Sequence, residues 1–306
     1  MNKSLRNSIL VGALRASSRV VRLFPLRFAQ TFGTLTGALA WHVVIRDRRK
    51  ALAAIQIAYP DMERTERGRL ARACFRHLGT ALMEVAWLPN LDQDKMDRFT
   101  RWEGLEHLQA AVDEGRGVVL FTGHCGNWEW MAAAIALAGL RMNVIAREIE
   151  ESRFNDYIVS SRARFGVNTI GRGSSSSARD IIRTLRSGAI LGVLIDQNIR
   201  AEIVRVPFFG LPAPTPVGPA KLAVKSEALV IAGFAERREG RHHIRFQPAI
   251  DTREIDDPRQ ITTIMTEAIE AQVRRVPEQW VWMHKRWRDR AGQRELKEKR
   301  EDRAGI

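Results

Sequence analysis

The chain has 306 residues, 45% of them hydrophobic, and a formal net charge of +14 at pH 7. This length is sufficient for one large domain with a sizeable core. Its two cysteines exclude a disulfide framework and a cysteine-rich zinc site, and the charge indicates an anionic partner such as acidic lipid, a phosphorylated substrate or nucleic acid.

The N-terminal region, residues 1–46, is both basic and apolar. Residues 28–45 contain no Asp, Glu, Lys or Arg, but a glutamine, a histidine and several threonines make this stretch a poor membrane span. Residues 4–27 mix basic and apolar side chains, which is typical of a helix lying in a membrane interface. No cleaved signal peptide is predicted, because the apolar stretch 8–14 is short and an arginine follows it. We expect membrane-associating helices that span the bilayer or lie on it; an ordinary pair of core helices is the alternative.

The rest of the chain alternates between helical and extended patterns. Residues 48–89 are predicted to be helical, as are 104–114, 127–138, 152–165, 176–187, 215–226 and 258–275. Strands are predicted at 117–122, 142–146, 189–195, 228–235 and 243–248. Short apolar strands that alternate with helices indicate an α/β fold with a mostly parallel central sheet flanked by helices. We expect one domain over residues 47–290 and a charged tail at 291–306.

One predicted strand-to-helix junction carries a titratable base. Asn127 is a good N-cap for the helix that follows, His124 lies in the loop, and Glu129 lies in the first helical turn. In open α/β sheets, ligands bind at the carboxyl ends of the strands. We therefore predict that His124 is a general base and that Glu129 is its orienting carboxylate. The alternative is a helix-start carboxylate beside a loop histidine.

A second polar pair follows another predicted strand. Asp196 ends the apolar run 189–195, and Gln197 comes directly after it. The carboxyl end of a central strand lies at the same rim of the sheet as His124. We predict that Asp196 and Gln197 belong to the site, with a simple turn as the alternative.

Cationic side chains near the ends of predicted elements are candidates for binding anions. Arg162 and Arg164 end a predicted helix, where they can hold a phosphate or cap the helix. Lys285 and Arg286 belong to a segment, 277–287, in which indoles alternate with basic residues; this pattern suits a membrane interface. No nucleic-acid motif accompanies it, so nucleic acid is not a predicted partner. The predicted substrate-binding residues are Asn127, Arg162, Arg164, Asp196, Gln197, Lys285 and Arg286.

Taken together, these segments resemble the bacterial lipid A late acyltransferase family, within the lysophospholipid acyltransferase superfamily. The resemblance spans about residues 45–290. The matching blocks are Gly123–Glu129, Arg162–Gly166, Asp196–Gln197, Pro207–Gly210 and Pro277–Arg286.

The resemblance implies a glycerolipid acyltransferase-like fold on the cytoplasmic face of the inner membrane. It implies transfer of a fatty acyl group from an acyl carrier protein or CoA thioester to a hydroxyl of a glycolipid such as a lipid A precursor. His124 would act as general base with Glu129 as its partner, with no metal and no cofactor beyond the thioester donor. The segments after Ile145 and Gln197 depart from the family pattern. Phosphatidylinositol mannosides, ornithine lipids and lysophospholipids therefore remain open as acceptors.

Two other classes of function remain as alternatives. A hydrolase would use Cys125 or a serine as nucleophile, but the sequence contains no Gly-x-Ser-x-Gly elbow. A non-catalytic basic protein that binds membranes or nucleic acid would not need His124 and Glu129 at a strand corner.

Overall fold

The first three helices form a layer in which one helix lies closely on another. The computed structural model describes residues 18–147, 152–172, 177–199 and 201–287. Helix α1 covers Leu26–Val43, α2 Ile45–Ala58 and α3 Arg64–Trp87, which confirms the helices predicted over 48–89. Glycines let α1 and α3 approach each other, since a Cβ on Gly37 would lie 2.2 Å from the carbonyl oxygen of Phe75.

Strands and helices alternate after α3, as the sequence predicts. The further helices are α4 Gln93–Phe99, α5 Leu105–Asp113, α6 Trp128–Leu137, α7 Ser152–Ala163, α8 Ser177–Arg186, α9 Gly218–Lys225 and α10 Pro258–Arg275. The strands are β1 Thr100–Glu103, β2 Val118–Thr122, β3 Met142–Arg147, β4 Asn168–Arg172, β5 Ile190–Leu194, β6 Ile203–Phe208, β7 Leu211–Pro216, β8 Leu229–Arg238, β9 Arg241–Phe246 and β10 Ile250–Asp251.

The main sheet has the strand order β1-β9-β8-β2-β5-β3-β4. Strands β8, β2, β5, β3 and β4 are parallel to one another, whereas β9 is antiparallel to β8 and parallel to β1. The short β10 pairs with β8 in the antiparallel sense. Strands β2 and β5 are central and almost wholly buried, because hydrophobic clusters cover the sheet on both sides. The predicted mostly parallel sheet flanked by helices is confirmed.

The main difference from the prediction lies at residues 203–216. No strand is predicted in this proline-rich segment, and a helix is predicted from 215, but the segment forms the two-stranded hairpin β6–β7. Phe209 and Gly210 have φ of 55° and 71°, which suits the two-residue turn between the strands. Prolines are tolerated because each strand of this two-stranded sheet has one edge that pairs with no other strand. A proline whose missing N–H falls on that edge costs the sheet no hydrogen bond. Helix α9 consequently begins at Gly218.

The first helix of the N-terminal segment has both buried and exposed residues. Helix α1 buries Ala29, Gly33 and Gly37 and leaves several large apolar side chains exposed. Within the described ranges, none of the helices combines the length and apolar character needed to cross a membrane. Residues 1–17 of this segment and the charged tail predicted at 291–306 lie outside the described residues.

Candidate active site

His124 lies in the loop between β2 and α6. Asn127 caps the helix, because its Oδ1 accepts a hydrogen bond of 3.0 Å from the amide of Trp130. Gly126 has a φ of 66°, and a Cβ there would lie 1.5 Å from the carbonyl oxygen of Ala235, so this position requires glycine. The predicted strand-to-helix corner is therefore held close to β8.

A second segment of chain fixes this corner from the other side. The amide of Val281 donates to the carbonyl of His124 at 3.1 Å, and the amide of Gly126 donates to the carbonyl of Gln279 at 2.9 Å. Cys125 and Trp280 form an isolated antiparallel bridge. The aromatic–basic segment 277–287 thus supports the strand-to-helix corner of His124 from within the fold.

The carboxylate that reaches His124 is that of Asp196. Asp196 Oδ1 lies 2.6 Å from Nδ1 of His124, and Oδ2 accepts from the His124 backbone amide at 2.7 Å. The indole of Trp280 donates to Oδ2 at 2.8 Å. Burial by itself raises the pKa of Asp196, whereas the charge of His124 and these hydrogen bonds lower it. The lowering effects together are larger, so the pKa of Asp196 lies below its usual value. Asp196 is therefore an anion that orients the ring of His124.

Gln197 connects His124 to a second histidine. Its Nε2 lies 2.9 Å from Nε2 of His124 and 3.1 Å from Nε2 of His284. Burial and the charge of His124 lower the pKa of His284 to about 4, so His284 is neutral at pH 7. We assign the proton of His124 to Nδ1, facing Asp196, because the amide of Gln197 then donates to Nε2. Nε2 of His124 therefore carries the lone pair that can accept a proton.

The expected pairing of Glu129 with His124 is wrong. Glu129 accepts two hydrogen bonds from Arg162, from Nε at 2.9 Å and from Nη2 at 2.6 Å. The first turn of α6 directs this carboxylate towards α7, where the guanidinium matches its two oxygens. Glu129 and Arg162 therefore form one ion pair beside the corner, with side chains about 15% and 16% exposed.

Two predicted substrate-binding residues are buried structural groups. Asn127 is 3% exposed and donates to Glu84 at 3.0 Å, besides capping α6. Arg286 is 1% exposed; its guanidinium donates to the carbonyl of Pro214 and, at 2.6 Å, to Oγ1 of Thr215. Burial lowers the pKa of Arg286 to about 10. Neither side chain presents a free polar group to solvent, so both hold the fold together in this structure; their binding of substrate stays a prediction. Arg164 and Lys285 are exposed.

A buried ion pair lies behind the corner, and no sequence signal pointed to it. Arg237 donates to both carboxylate oxygens of Glu84, at 2.6 and 2.7 Å, and Gln30 donates to Glu84 at 2.9 Å. His77 contacts Arg237 at 3.0 Å and the carbonyl of Gly126 at 3.2 Å. This network ties α1, α3 and β8 to the loop of His124. A lone Glu inside an amphipathic helix gives no hint of such a role.

Cys125 does not have the surroundings of a nucleophile. It is 1% exposed, and burial together with the nearby Asp196 raises the pKa of its thiol above its usual value. The thiolate is the nucleophilic form, and apolar burial disfavours it. Cys125 therefore acts as a small packing residue at this corner.

An apolar cavity lies beside the corner, between the sheet and α6. It is small, with a volume of about 30 Å³. The Glu129–Arg162 pair and Trp128 border it, and the remaining lining is mainly aliphatic: Leu120, Thr122, Met131, Ala132, Met142, Val144, Ile145, Gly192, Val193 and Leu194. Among the described residues, no three His, Cys, Asp or Glu side chains are close enough together to hold a metal ion.

The chain is similar in sequence to known acyltransferases. A sequence model of the family described as "Bacterial lipid A biosynthesis acyltransferase" matches residues 7–289. The chain is 27% identical to a lipid A biosynthesis acyltransferase of Haemophilus influenzae, over 81% of this chain and 79% of the relative. It is 28% identical to a phosphatidylinositol mannoside acyltransferase of Mycobacterium tuberculosis, over 90% and 87%. The crystal structure of the 1-acyl-sn-glycerophosphate acyltransferase PlsC from Thermotoga maritima matches with a TM-score of 0.37 and 13% identity, over 79% of this chain and 97% of PlsC.

Proposed function

Because the chain belongs to the bacterial lipid A biosynthesis acyltransferase family and is an acyltransferase, we propose that it moves a fatty acyl group from a thioester to a hydroxyl of a glycolipid. The observation that carries this proposal is the pair formed by His124 and Asp196 at the carboxyl ends of β2 and β5. An imidazole held by a buried carboxylate, with Nε2 directed away from it, is arranged to accept a proton from a hydroxyl.

The proposed reaction is a direct transfer. Nε2 of His124 takes the proton of the acceptor hydroxyl while the hydroxyl oxygen attacks the thioester carbonyl carbon, and Asp196 stabilises the imidazolium that forms. The tetrahedral intermediate then collapses, its carbon–sulfur bond breaks, and the departing thiolate receives the proton from Nε2. The products are an ester and a free thiol, and no covalent bond to the enzyme is required.

Gln197 is our candidate for stabilising the oxyanion. The amides of His124, Cys125 and Gly126 are already bonded, to Asp196, Gly123 and Gln279. By contrast, the side-chain amide of Gln197 donates to Nε2 of His124. An incoming hydroxyl must displace this bond, and the released N–H would then be available to the developing oxyanion.

The family and the net charge support a choice of substrates. We propose that the donor is an acyl carrier protein or CoA thioester, with no metal or further cofactor. The lipid A and phosphatidylinositol mannoside acyltransferases match at nearly equal identity. A lipid A precursor is our first candidate acceptor and a phosphatidylinositol mannoside is the second; both are anionic glycolipids, as the net charge of +14 favours.

We propose that α1 attaches the protein to the cytoplasmic face of the inner membrane. Exposed apolar side chains follow one another along this helix at helical spacing and form what we call the apolar ridge: Phe28, Phe32, Leu35, Leu39 and Val43. Exposed arginines flank the ridge, at positions 27, 46 and 49. An apolar stripe bordered by cations is typical of a helix that lies in the membrane interface.

The test is an acyl-transfer assay with products identified by mass spectrometry. Acyl carrier protein and CoA thioesters are each offered with a lipid A precursor, a phosphatidylinositol mannoside and a lysophospholipid. We expect a glycolipid ester from wild type and from Cys125→Ser, and none above background from His124→Ala. Thioester hydrolysis without ester formation, or an acyl-cysteine adduct at Cys125, would contradict direct transfer.

A further inference from the structure

The indole of Trp41, near the end of α1, carries two guanidinium groups. The Cζ of Arg48 lies 5.3 Å from the ring centroid and that of Arg72 lies 5.4 Å from it. The ring is only 7% exposed and packs edge-on against Phe75, with 5.5 Å between centroids. The attraction between cations and the face of the ring holds the two arginines in place. This arrangement is a preformed cationic platform built from three helices.

A cavity of about 200 Å³ opens at this platform. We call it the arginine cavity; its lining is Ala38, Trp41, His42, Arg72 and Arg76. None of these lining residues is acidic. Throughout the described ranges, no carboxylate forms an ion pair with Arg48, Arg72 or Arg76, whereas Arg116, Arg162, Arg237 and Arg275 each have such a partner.

The positive charge of this cavity is concentrated on one helix face. Arg72 and Arg76 are one turn apart on α3, and like charges at this spacing destabilise a helix. A bound anion removes this repulsion. Guanidinium groups match the oxygens of a phosphate in shape and charge, and they do so best where the arginines are already positioned.

The apolar ridge borders the arginine cavity. Ala38 and His42 line the cavity, and each is followed directly by a ridge residue, Leu39 or Val43, which are 65% and 71% exposed. A molecule that places a phosphate among the arginines therefore has an apolar surface next to it. That combination matches a phospholipid, which carries its phosphate directly beside its acyl chains.

We propose that the arginine cavity binds the phosphate of an anionic phospholipid of the bilayer, with the acyl chains of that lipid against the apolar ridge. The proposal rests on the proposed attachment of α1 to the membrane and adds a discrete lipid site to it. The cavity belongs to α1 and α3, whereas His124 and its partners follow β2 and β5. None of the lining residues is a hydrogen-bond partner of His124, and we assign the occupant as a membrane lipid that positions the enzyme rather than as the acyl acceptor.

The test compares two variants that lose the same charge. Arg72→Gln/Arg76→Gln removes the arginines of the cavity, and Arg179→Gln/Arg186→Gln removes two exposed arginines of α8 that neither line the cavity nor flank the apolar ridge. Binding is measured to phosphatidylcholine vesicles that contain either phosphatidylglycerol or oleate, with the two kinds of vesicle matched in surface charge. For wild type we expect tighter binding to phosphatidylglycerol vesicles. The cavity variant should lose this preference and bind them at least roughly 10-fold more weakly than wild type does, whereas the α8 variant should bind them within about 3-fold of wild type.

Several results would overturn the proposal. Equal losses in the two variants, or equal binding of wild type to oleate and phosphatidylglycerol vesicles, would mean that charge alone attracts the protein. A higher KM of the cavity variant for a detergent-dispersed acceptor would assign the phosphate to the acceptor, and a higher KM for acyl carrier protein would make the cavity a protein docking site. If wild type binds no vesicle, both this site and membrane attachment fail, whereas acyl transfer in detergent tests the enzymatic proposal separately. Thermal unfolding of each variant verifies its folding.

Discussion

Asp196 holds His124 by its side chain and its main chain at once: Oδ1 lies 2.6 Å from the ring Nδ1, and Oδ2 accepts the backbone amide at 2.7 Å. One buried carboxylate therefore fixes the position of the loop and the orientation of the ring. Trp280 contributes a third hydrogen bond to the same carboxylate. Substitutions can separate this pair from the neighbouring Glu129–Arg162 pair.

We expect Asp196→Asn to lower kcat by about 10²–10⁴-fold, similar to His124→Ala. The asparagine keeps the size of the side chain but removes the negative charge that stabilises the imidazolium. Steady-state kinetics and thermal unfolding, measured on one preparation, give the result. Cys125→Ser is the matched control in the same loop and should stay near wild-type activity. A folded Asp196→Asn enzyme with more than half of the wild-type kcat would refute the role of this pair.

Glu129 and Arg162 should behave as a single unit. Removing either charge leaves the other partly buried without a partner, so we expect Glu129→Gln and Arg162→Gln to be destabilised singly. The double variant should recover part of the loss, with a coupling energy of about 1–3 kcal/mol. Urea unfolding of the four proteins measures this coupling. Additive losses would show that the pair is not energetically linked, and a rise in the KM of Arg162→Gln for one substrate alone would support the predicted substrate contact.

Arg286 should contribute to stability rather than to substrate binding. Its buried guanidinium donates to the hairpin β6–β7 and lies 5.0 Å over the ring of Phe208. We expect Arg286→Gln to lower the free energy of unfolding by about 2–4 kcal/mol, with little change in KM. Lys285→Gln, one residue away and exposed, should change stability by less than about 0.5 kcal/mol. An unchanged unfolding curve together with a raised KM would restore Arg286 as a phosphate ligand.

Stability should fall as the pH drops below the ordinary histidine pKa of 6.5. Burial lowers the pKa of His284 to about 4 and that of His77 to about 3, so the unfolded chain binds these protons before the folded protein does. The loss should begin near pH 6.5 and reach at most about 1.4 kcal/mol per pH unit for each histidine. Asp196 and Glu84, whose pKa values are lowered, stay ionised in this window.

Urea unfolding at pH values between 7 and 5 measures this dependence. His284→Asn removes one of the two groups and should therefore show a shallower decline than wild type. Identical slopes for the two proteins would mean that His284 titrates normally in the folded state.

The sequence by itself determined the local elements that build the site. Apolar runs predicted β2 and β5 to within one residue at each end, and Asn127 predicted the start of α6. The position of His124 at the carboxyl end of a buried strand followed from these elements. Each of these features depends on neighbours in the chain, and periodicity and capping preferences report on such neighbours directly.

Only the tertiary structure decided which carboxylate serves His124. Strands β2 and β5 are adjacent and parallel, and Thr122 pairs with Leu194. His124 and Asp196 each lie two residues beyond this pair, so the register brings them together. Glu129 is nearer in sequence, but the first turn of α6 directs it to Arg162. Strand order, register and helix orientation depend on long-range packing of the whole core, and for this reason a local pattern in the sequence favoured the wrong partner.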